Sequence, residues 1–326
     1  VRYRAFGRTG LQVSELIFGG GWVGGILIHQ DDATKRASLK RALEAGINWV
    51  DTAPSYGDGR SEEALGWLLQ EVEPRPHLST KVRLDLGGQG DIPGQIERSL
   101  EASLKRLRLQ SVDLFQLHNP IGPETAGGLL GVGHVLGKRG VADAFDRLRD
   151  QGLTRFTGIT ALGDVAACRE AIASDRFDSA QVYYNLLNPS AGQTMPPAWH
   201  GQNFEGLIAA CRAHGVAVMN IRVLAAGVIA TDRRHGRENA ITDDAELATE
   251  GERARAVFTR LGERYGTRAQ TAIRFALANS DLSGVLVGMA ELAHLEEALA
   301  AAAMGPLPDA ALAELRDLYA RNFGLA

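Results

Sequence analysis

Asp51, Tyr56, Lys81 and His118 are the residues whose types and positions suggest proton chemistry. Asp51 closes the apolar run INWVD, and Tyr56 follows five positions later in VDTAPSYGDGRSEEALG (50–66). Lys81 lies near the end of HLSTKV (77–82), and His118 ends VDLFQLH (112–118). A phenol titrates near pH 10, so it donates a proton poorly at neutral pH unless its surroundings favour the anion. An ammonium beside Tyr56 would lower its pKa, and Asp51 would keep Lys81 charged and oriented. His118 can donate a second hydrogen bond to a carbonyl oxygen as negative charge develops there. Together these four groups suit reversible hydride transfer at a carbonyl. Singly, each has a structural use: a turn cap, a rim aromatic, a snorkelling lysine, a core histidine. Glycoside hydrolysis would require a carboxylate pair, and a Schiff-base lysine would require an apolar setting. No HExxH, GxSxG or Walker motif is present.

These residues need elements that bring strand ends together. Eight short apolar runs, at 15–20, 47–51, 77–82, 112–118, 154–160, 179–184, 216–221 and 283–288, predict strands. Between and after them, 33–45, 61–71, 93–107, 140–151, 164–174, 203–213, 250–265 and 291–303 follow helical periodicity, with Ile96, Leu100, Leu104 and Leu107 the clearest set. Strands of little polar alternation, each followed by a helix, predict a parallel sheet covered by helices, and eight units fit a closed (β/α)8 TIM barrel. A dinucleotide-binding open sheet would want GxGxxG after the first strand; FGGGWVGG (18–25) does not keep that spacing. Residues 1–13 read as a β-hairpin closing the bottom of the barrel, and 307–323 as an extra C-terminal helix. The whole chain, 1–326, is therefore expected to form one domain. Gly57 and Gly59 let the chain turn, and Ser61 is expected to cap the next helix, with Glu62 and Glu63 in its first turn. Long connections at 119–139 and 222–249 follow the fourth and seventh strands and should share the face that carries the four polar residues. The glycine-rich stretch 124–140 is expected to be mobile before ligand binds.

Composition bounds the function. With 45% hydrophobic residues and net charge −4 from 35 Lys+Arg against 39 Asp+Glu, the chain reads as a soluble protein with no electrostatic reason to bind nucleic acid. Cys168 and Cys211 belong to no CxxC and are expected to be buried reduced thiols of a cytoplasmic protein. The uncharged stretch 16–29 has 14 residues and five glycines. That is short of the roughly 20 needed to cross a bilayer, and no signal peptide is expected.

DTAPSYG (51–57) with SEEALG (61–66), STKV (79–82), VDLFQLHNP (112–120), FGRTGLQVSELIFGGG (6–21) and RFTGIT (155–160) together resemble the aldo-keto reductase family. The resemblance implies a (β/α)8 barrel that binds an extended nicotinamide cofactor, NAD or NADP. By motif matching it makes Tyr56 the general acid, Asp51 and Lys81 its tuning pair, and His118 the group that orients the substrate carbonyl. It also implies cofactor contacts at Thr160 and Gln181, on the carboxamide, and at Gly21 and Trp22, near the substrate. Ala161 stands where relatives often carry an asparagine or histidine. IRVLAAG (221–227), with Ile221, Arg222 and Leu224, matches the segment over the nicotinamide and pyrophosphate. Ile221 replaces a stacking tyrosine, and Arg222 is free to meet a phosphate or the substrate. Relatives that prefer NADP place a cation after the eighth strand. Here Gly288, Met289, His294 and Glu297 occupy that region, no Lys or Arg falls within 285–299, and Glu291, Glu296 and Glu297 add negative charge. NAD is therefore favoured, with His294 or Arg233, Arg234 or Arg237 as the groups that would admit NADP. VGM (287–289) resembles the sugar dehydrogenases of the family, which suggests an aldose 1-dehydrogenase acting on a small carbonyl or sugar. Alternatives are an NADPH-dependent aldehyde or ketone reductase, or a nucleotide-binding regulatory subunit like the beta subunits of potassium channels. The oligomeric state is left open.

Overall fold

A computed structural model describes residues 1–85, 87, 91–242 and 246–325. Eight strands, β1 (Leu16–Gly19), β2 (Trp49–Asp51), β3 (His77–Val82), β4 (Val112–Leu117), β5 (Thr154–Ala161), β6 (Ser179–Tyr183), β7 (Ala217–Ile221) and β8 (Gly284–Gly288), close into a barrel. Each pairs in parallel with the next, and β8 returns to β1 through Val285 opposite Leu16. A strand walled by helices outside and packed side chains inside has no solvent face, which is why β4 (VDLFQL) is buried along its whole length. All eight predicted strands form, and the fold class is the predicted one.

Seven predicted helices recur as α1 (Asp32–Glu44), α2 (Arg60–Leu68), α3 (Ile92–Leu107), α4 (Val141–Asp150), α5 (Val165–Ala173), α6 (Leu207–Ala213) and, after β8, α8 (Leu292–Met304). Local chemistry starts several of them: Asp31, Asp91 and Asp164 accept backbone N–H bonds at the first turns of α1, α3 and α5. In α3 the buried face is Ile96, Leu100, Ser103 and Leu107, a helical stripe laid on the barrel.

The segment between β7 and β8 differs from expectation. The predicted helix 250–265 exists as Leu247–Leu261, but it packs on the C-terminal helix Asp309–Tyr319. The helix that packs beside α8 is α7 (Arg268–Leu277), opened by a reciprocal capping box between Thr267 and Gln270. Ser61 is a second correction. The residue before α2 is Gly59, in a left-handed conformation, and the buried Ser61 hydroxyl instead accepts from Thr52 Oγ1 at 2.8 Å.

The N-terminal hairpin pairs Tyr3–Ala5 with Gln12–Ser14 and plugs the N-terminal end of the barrel. Phe6 packs on Trp49, ring centroids 4.6 Å apart, inside a cluster with Val13, Ile17, Leu114 and Met219. At the opposite end, the glycine-rich loop after β4 carries structure of its own. Ile121–Gly122 pairs with Leu130–Gly131, a short helix spans Val132–Leu136, and the Thr125 hydroxyl bonds both the Gly131 amide and His134 Nδ1. Among the described residues no helix is long and apolar enough to cross a membrane.

Candidate active site

The mouth of the barrel is built on a buried ion pair. Asp51 ends β2 opposite Ser79 of β3, and Lys81, two residues further along β3 and on the same face as Ser79, reaches back to the carboxylate. Lys81 Nζ donates to Asp51 Oδ2 at 2.5 Å and to the Thr52 carbonyl at 2.8 Å, and both side chains are essentially inaccessible. Asp51 Oδ1 accepts from Ser79 Oγ at 2.6 Å, Gln181 Nε2 at 3.0 Å and Gln116 Nε2 at 3.3 Å. Ser79 in turn accepts from the Trp49 indole N–H at 3.0 Å. A buried pair survives only when its remaining lone pairs and protons are satisfied, and this carboxylate is surrounded by donors. Burial strips water from Lys81 and works against its charge, but Asp51 and Tyr56 outweigh that and hold its pKa above the usual lysine value. Lys81 is a cation throughout the physiological range.

Tyr56 reaches this pair from the loop between β2 and α2. Gly57 and Gly59 adopt left-handed φ of 64° and 88°, and a Cβ on Gly57 would lie 2.7 Å from Ile28, so the turn requires glycine there. The loop is pinned from behind: Thr52 holds Ser61, and buried Glu62 accepts from Thr80 Oγ1 and Arg106 Nε, both at 2.6 Å. Thr80 precedes Lys81, so α2 is tied to the strand that supplies the lysine. The Lys81 ammonium stands 4.8 Å from the centroid of the Tyr56 ring, and the His118 ring meets that ring edge-on at 6.0 Å.

The electrostatics correct one expectation. Lys81 does pull the Tyr56 pKa down, and Arg222 adds to that pull, but burial is the larger effect and Asp51 reinforces it. The phenol therefore titrates above its usual value and keeps its proton at neutral pH. His118 is pushed down to about 3 by burial and by the charges of Lys81 and Arg83. It is a neutral imidazole that can donate one N–H without adding charge to the site.

The predicted ligand contacts divide into two sets. Gly21 borders the reaction centre, since a Cβ there would sit 3.9 Å from the Tyr56 ring. Thr160 and Gln181 are register partners on β5 and β6 at the level of Asp51, and the Thr160 hydroxyl is buried with no hydrogen-bond partner. Ile221 ends β7, Arg222 follows with φ 61°, and half-buried Leu224 begins the next turn. Trp22 is 41% exposed on the rim, edge-on to His29. The second set lies around the end of β8. Gly288 opens to free space, whereas Met289 is buried and its carbonyl accepts the Ile26 N–H at 3.0 Å. His294 Nδ1 accepts the Ala290 N–H at 3.2 Å, and Glu297 accepts from the capping Thr267 hydroxyl, so neither bonds to the four central residues. Glu296 is paired with Arg41 at 2.6 Å. Of the loop arginines, Arg237 reaches across to the Val23 carbonyl at 3.3 Å. Among the described residues there is no cluster of histidine, cysteine and acidic side chains able to hold a metal ion.

Ser79, Thr52 and Gln116 belong to the site and were missed from the sequence. For Ser79 and Gln116 the signal is the period of two within strands, since Ser79 and Lys81 share one face of HLSTKV and Gln116 is register partner to Lys81, whereas Thr52 enters through its backbone carbonyl, which carries no sequence signal.

Comparison with known proteins agrees with this architecture. The model of the Aldo/keto reductase family matches residues 15–320. L-galactose dehydrogenase of Arabidopsis thaliana is 29% identical over 92% of this chain and 88% of its own length. A probable voltage-gated potassium channel subunit beta of the same plant is 25% identical over 94% of this chain and 93% of its own. The holo form of an aldo-keto reductase from Bacillus halodurans superposes with a TM-score of 0.75 at 22% identity, covering 98% of this chain and 96% of that one.

Proposed function

From the premise that this chain belongs to the Aldo/keto reductase family, we propose that it is an NAD(P)-dependent oxidoreductase that interconverts a small carbonyl and its alcohol, with aldose 1-dehydrogenase as the favoured activity. The observation that carries this reading is the buried Lys81–Asp51 pair set against the Tyr56 ring beside a neutral His118. When bound, the nicotinamide supplies or accepts the hydride. The unpartnered Thr160 hydroxyl and the Gln181 amide fit its carboxamide, and Gly21 leaves a ring free to approach Tyr56.

The protein's part is proton handling and orientation. In the reducing direction, Tyr56 donates its phenolic proton to the carbonyl oxygen as that oxygen becomes negative, and Lys81 compensates the phenolate left behind. His118 donates its N–H to the same oxygen, which fixes the carbonyl and stabilises its developing charge. Asp51, held by Ser79, Gln116 and Gln181, keeps the ammonium in place through the cycle. In the oxidising direction the same residues run in reverse from the minor tyrosinate form that Lys81 stabilises, which takes the proton from the hydroxyl, so oxidation is expected to gain as pH rises.

Similarity to L-galactose dehydrogenase favours a sugar substrate, and the absence of a cation in 285–299 favours NAD. We further infer that the chain works as one catalytic unit in the cytoplasm, on a small molecule rather than on nucleic acid or a membrane. A screen of aldoses, aldehydes and ketones in both directions with both cofactors, read at the nicotinamide absorbance, tests the reading. Turnover of an aldose with NAD is the expected result. Tight cofactor binding without turnover of any compound would point to a regulatory role like that of the potassium channel subunit.

A further inference from the structure

Two cations beyond the catalytic pair stand at the barrel mouth. Lys81 is matched by Asp51, yet the charges of two further cations reach the reaction centre: Arg83 acts on His118 and Arg222 acts on Tyr56. Arg83 is exposed and follows β3. Arg222 is half-buried and held in place. It follows β7 with a left-handed φ of 61°, a conformation that a non-glycine residue adopts only when its surroundings enforce it. Asn185 Nδ2 donates to the Arg222 carbonyl at 3.0 Å and fixes the backbone. Its guanidinium donates to the Asn239 carbonyl at 2.7 Å and to Asn239 Oδ1 at 3.1 Å, which uses two of the five N–H donors of an arginine.

Those partners are neutral. Glu250 lies within the field of Arg222 but bonds the Tyr183 hydroxyl at 3.2 Å, and among the described residues no carboxylate lies within ion-pair distance of Arg222. A half-buried guanidinium with donors left over and no ion-pair partner among the described residues can take an anion that arrives with the ligand, and carboxylate oxygens match its planar fork.

We propose that Arg222 selects substrates that carry a carboxylate a few bonds from the reacting carbon, so that acidic sugars or aldehyde acids are preferred over their neutral counterparts. This rests on the oxidoreductase reading above and narrows its substrate class. The pyrophosphate of the cofactor is the competing occupant of the same guanidinium, and the experiment separates the two.

The test uses two pairs of aldoses that differ in one carboxylate, galactose with galacturonate and glucose with glucuronate. kcat/KM is measured with NAD for the native protein, Arg222→Gln and Arg222→Lys, together with the Kd of NADH. The native protein is expected to favour the acidic member of at least one pair about tenfold or more, the scale of a charge-assisted hydrogen bond. Arg222→Gln should cut that ratio at least about tenfold, and Arg222→Lys should retain part of it. Equal use of both members by the native protein overturns the proposal. So does a parallel loss on both members of a pair with matching weakening of NADH, which assigns Arg222 to the pyrophosphate. If no sugar is turned over, the oxidoreductase reading loses its sugar branch, and fluorescence titration of the NADH complex with each sugar still decides the charge assignment. Binding of the acidic sugars that weakens in Arg222→Gln supports it, and equal binding of acidic and neutral sugars contradicts it.

Discussion

Each end of the barrel buries an aspartate among cations, and the two ends use it differently. At the N-terminal end Asp113, on β4, receives the Leu78 amide at 3.0 Å, His77 Nδ1 at 3.1 Å and Arg155 at 3.0 Å, with Arg75 at 3.6 Å. Its cations keep their outer faces in water, so the charge is anchored and dissipated at once. Burial opposes the Asp113 carboxylate, but His77, the Leu78 amide and Arg75 hold its pKa below the usual value. At the C-terminal end Asp51 meets a lysine that has no solvent exposure and whose field falls on Tyr56 and His118. The first arrangement ties strands together, and the second stores an electrostatic field where a reacting atom can be placed.

Removing the cation at the mouth should have the largest effect. Lys81→Met leaves Asp51 buried and unpaired, so it is expected to cost about 3–5 kcal/mol of stability and to lower turnover of the folded fraction by about 10²–10⁴. Urea denaturation with assays on the folded protein checks both. At the other end, Asp113→Asn should cost about 1–3 kcal/mol with kcat unchanged, because no reacting group feels that charge. Loss of turnover per folded molecule in Asp113→Asn would break the division between the two ends.

Acid should separate the ends as well. His118 titrates at about 3, below its unfolded value of 6.5, so the fold favours its neutral form. The stability tied to that neutrality is complete above about pH 6.5 and declines as pH falls, by up to about 1 kcal/mol per pH unit for this partly exposed ring. Asp113 has a depressed pKa, so its contribution persists until pH drops below the unfolded value of 3.8. Between these limits the contribution of His118 declines while that of Asp113 holds. Denaturation midpoints of the native protein and His118→Gln should therefore converge on acidification from pH 7 to 5, and a constant gap would contradict the assignment. The smallest effect expected is on the cofactor. NADH should bind severalfold tighter than NADPH by fluorescence titration, since the segment after β8 offers acids and no lysine or arginine.

The strands were legible because each is a short apolar run bounded by turn residues, and burial on both faces leaves little ambiguity in such runs. The juxtaposition of Asp51, Tyr56, Lys81 and His118 was legible because Asp51, Lys81 and His118 interrupt or close those runs at ends that a barrel brings to one face, although each has a structural use when taken singly. Helix α7 was missed because 250–265 already filled the place of a seventh helix, although TRAQ (267–270) carries a capping signature ahead of the apolar set Ala272, Ile273, Ala276 and Leu277. A serine before two glutamates has the form of a helix cap, but Gly59 supplies the turn and leaves Ser61 to hold Thr52. The sign of the Tyr56 shift lies beyond the sequence, because a neighbouring charge can be inferred from sequence order, whereas the extent of desolvation depends on packing from several strands. Which side chains at 221–227 and 288–297 lie near the four central residues and which bond to the scaffold depends on distances that only the closed barrel sets.

The central claim is that Tyr56 is the proton donor and acceptor of an oxidoreductase. The most direct measurement compares steady-state turnover of the native protein and Tyr56→Phe, on the best substrate and cofactor from the screen, with the Kd of NADH measured in parallel. Tyr56→Phe should lose about 10²–10⁴ of kcat and bind NADH nearly as well as the native protein. Turnover retained within about tenfold, a loss too small for a missing general acid, would contradict the assignment of Tyr56.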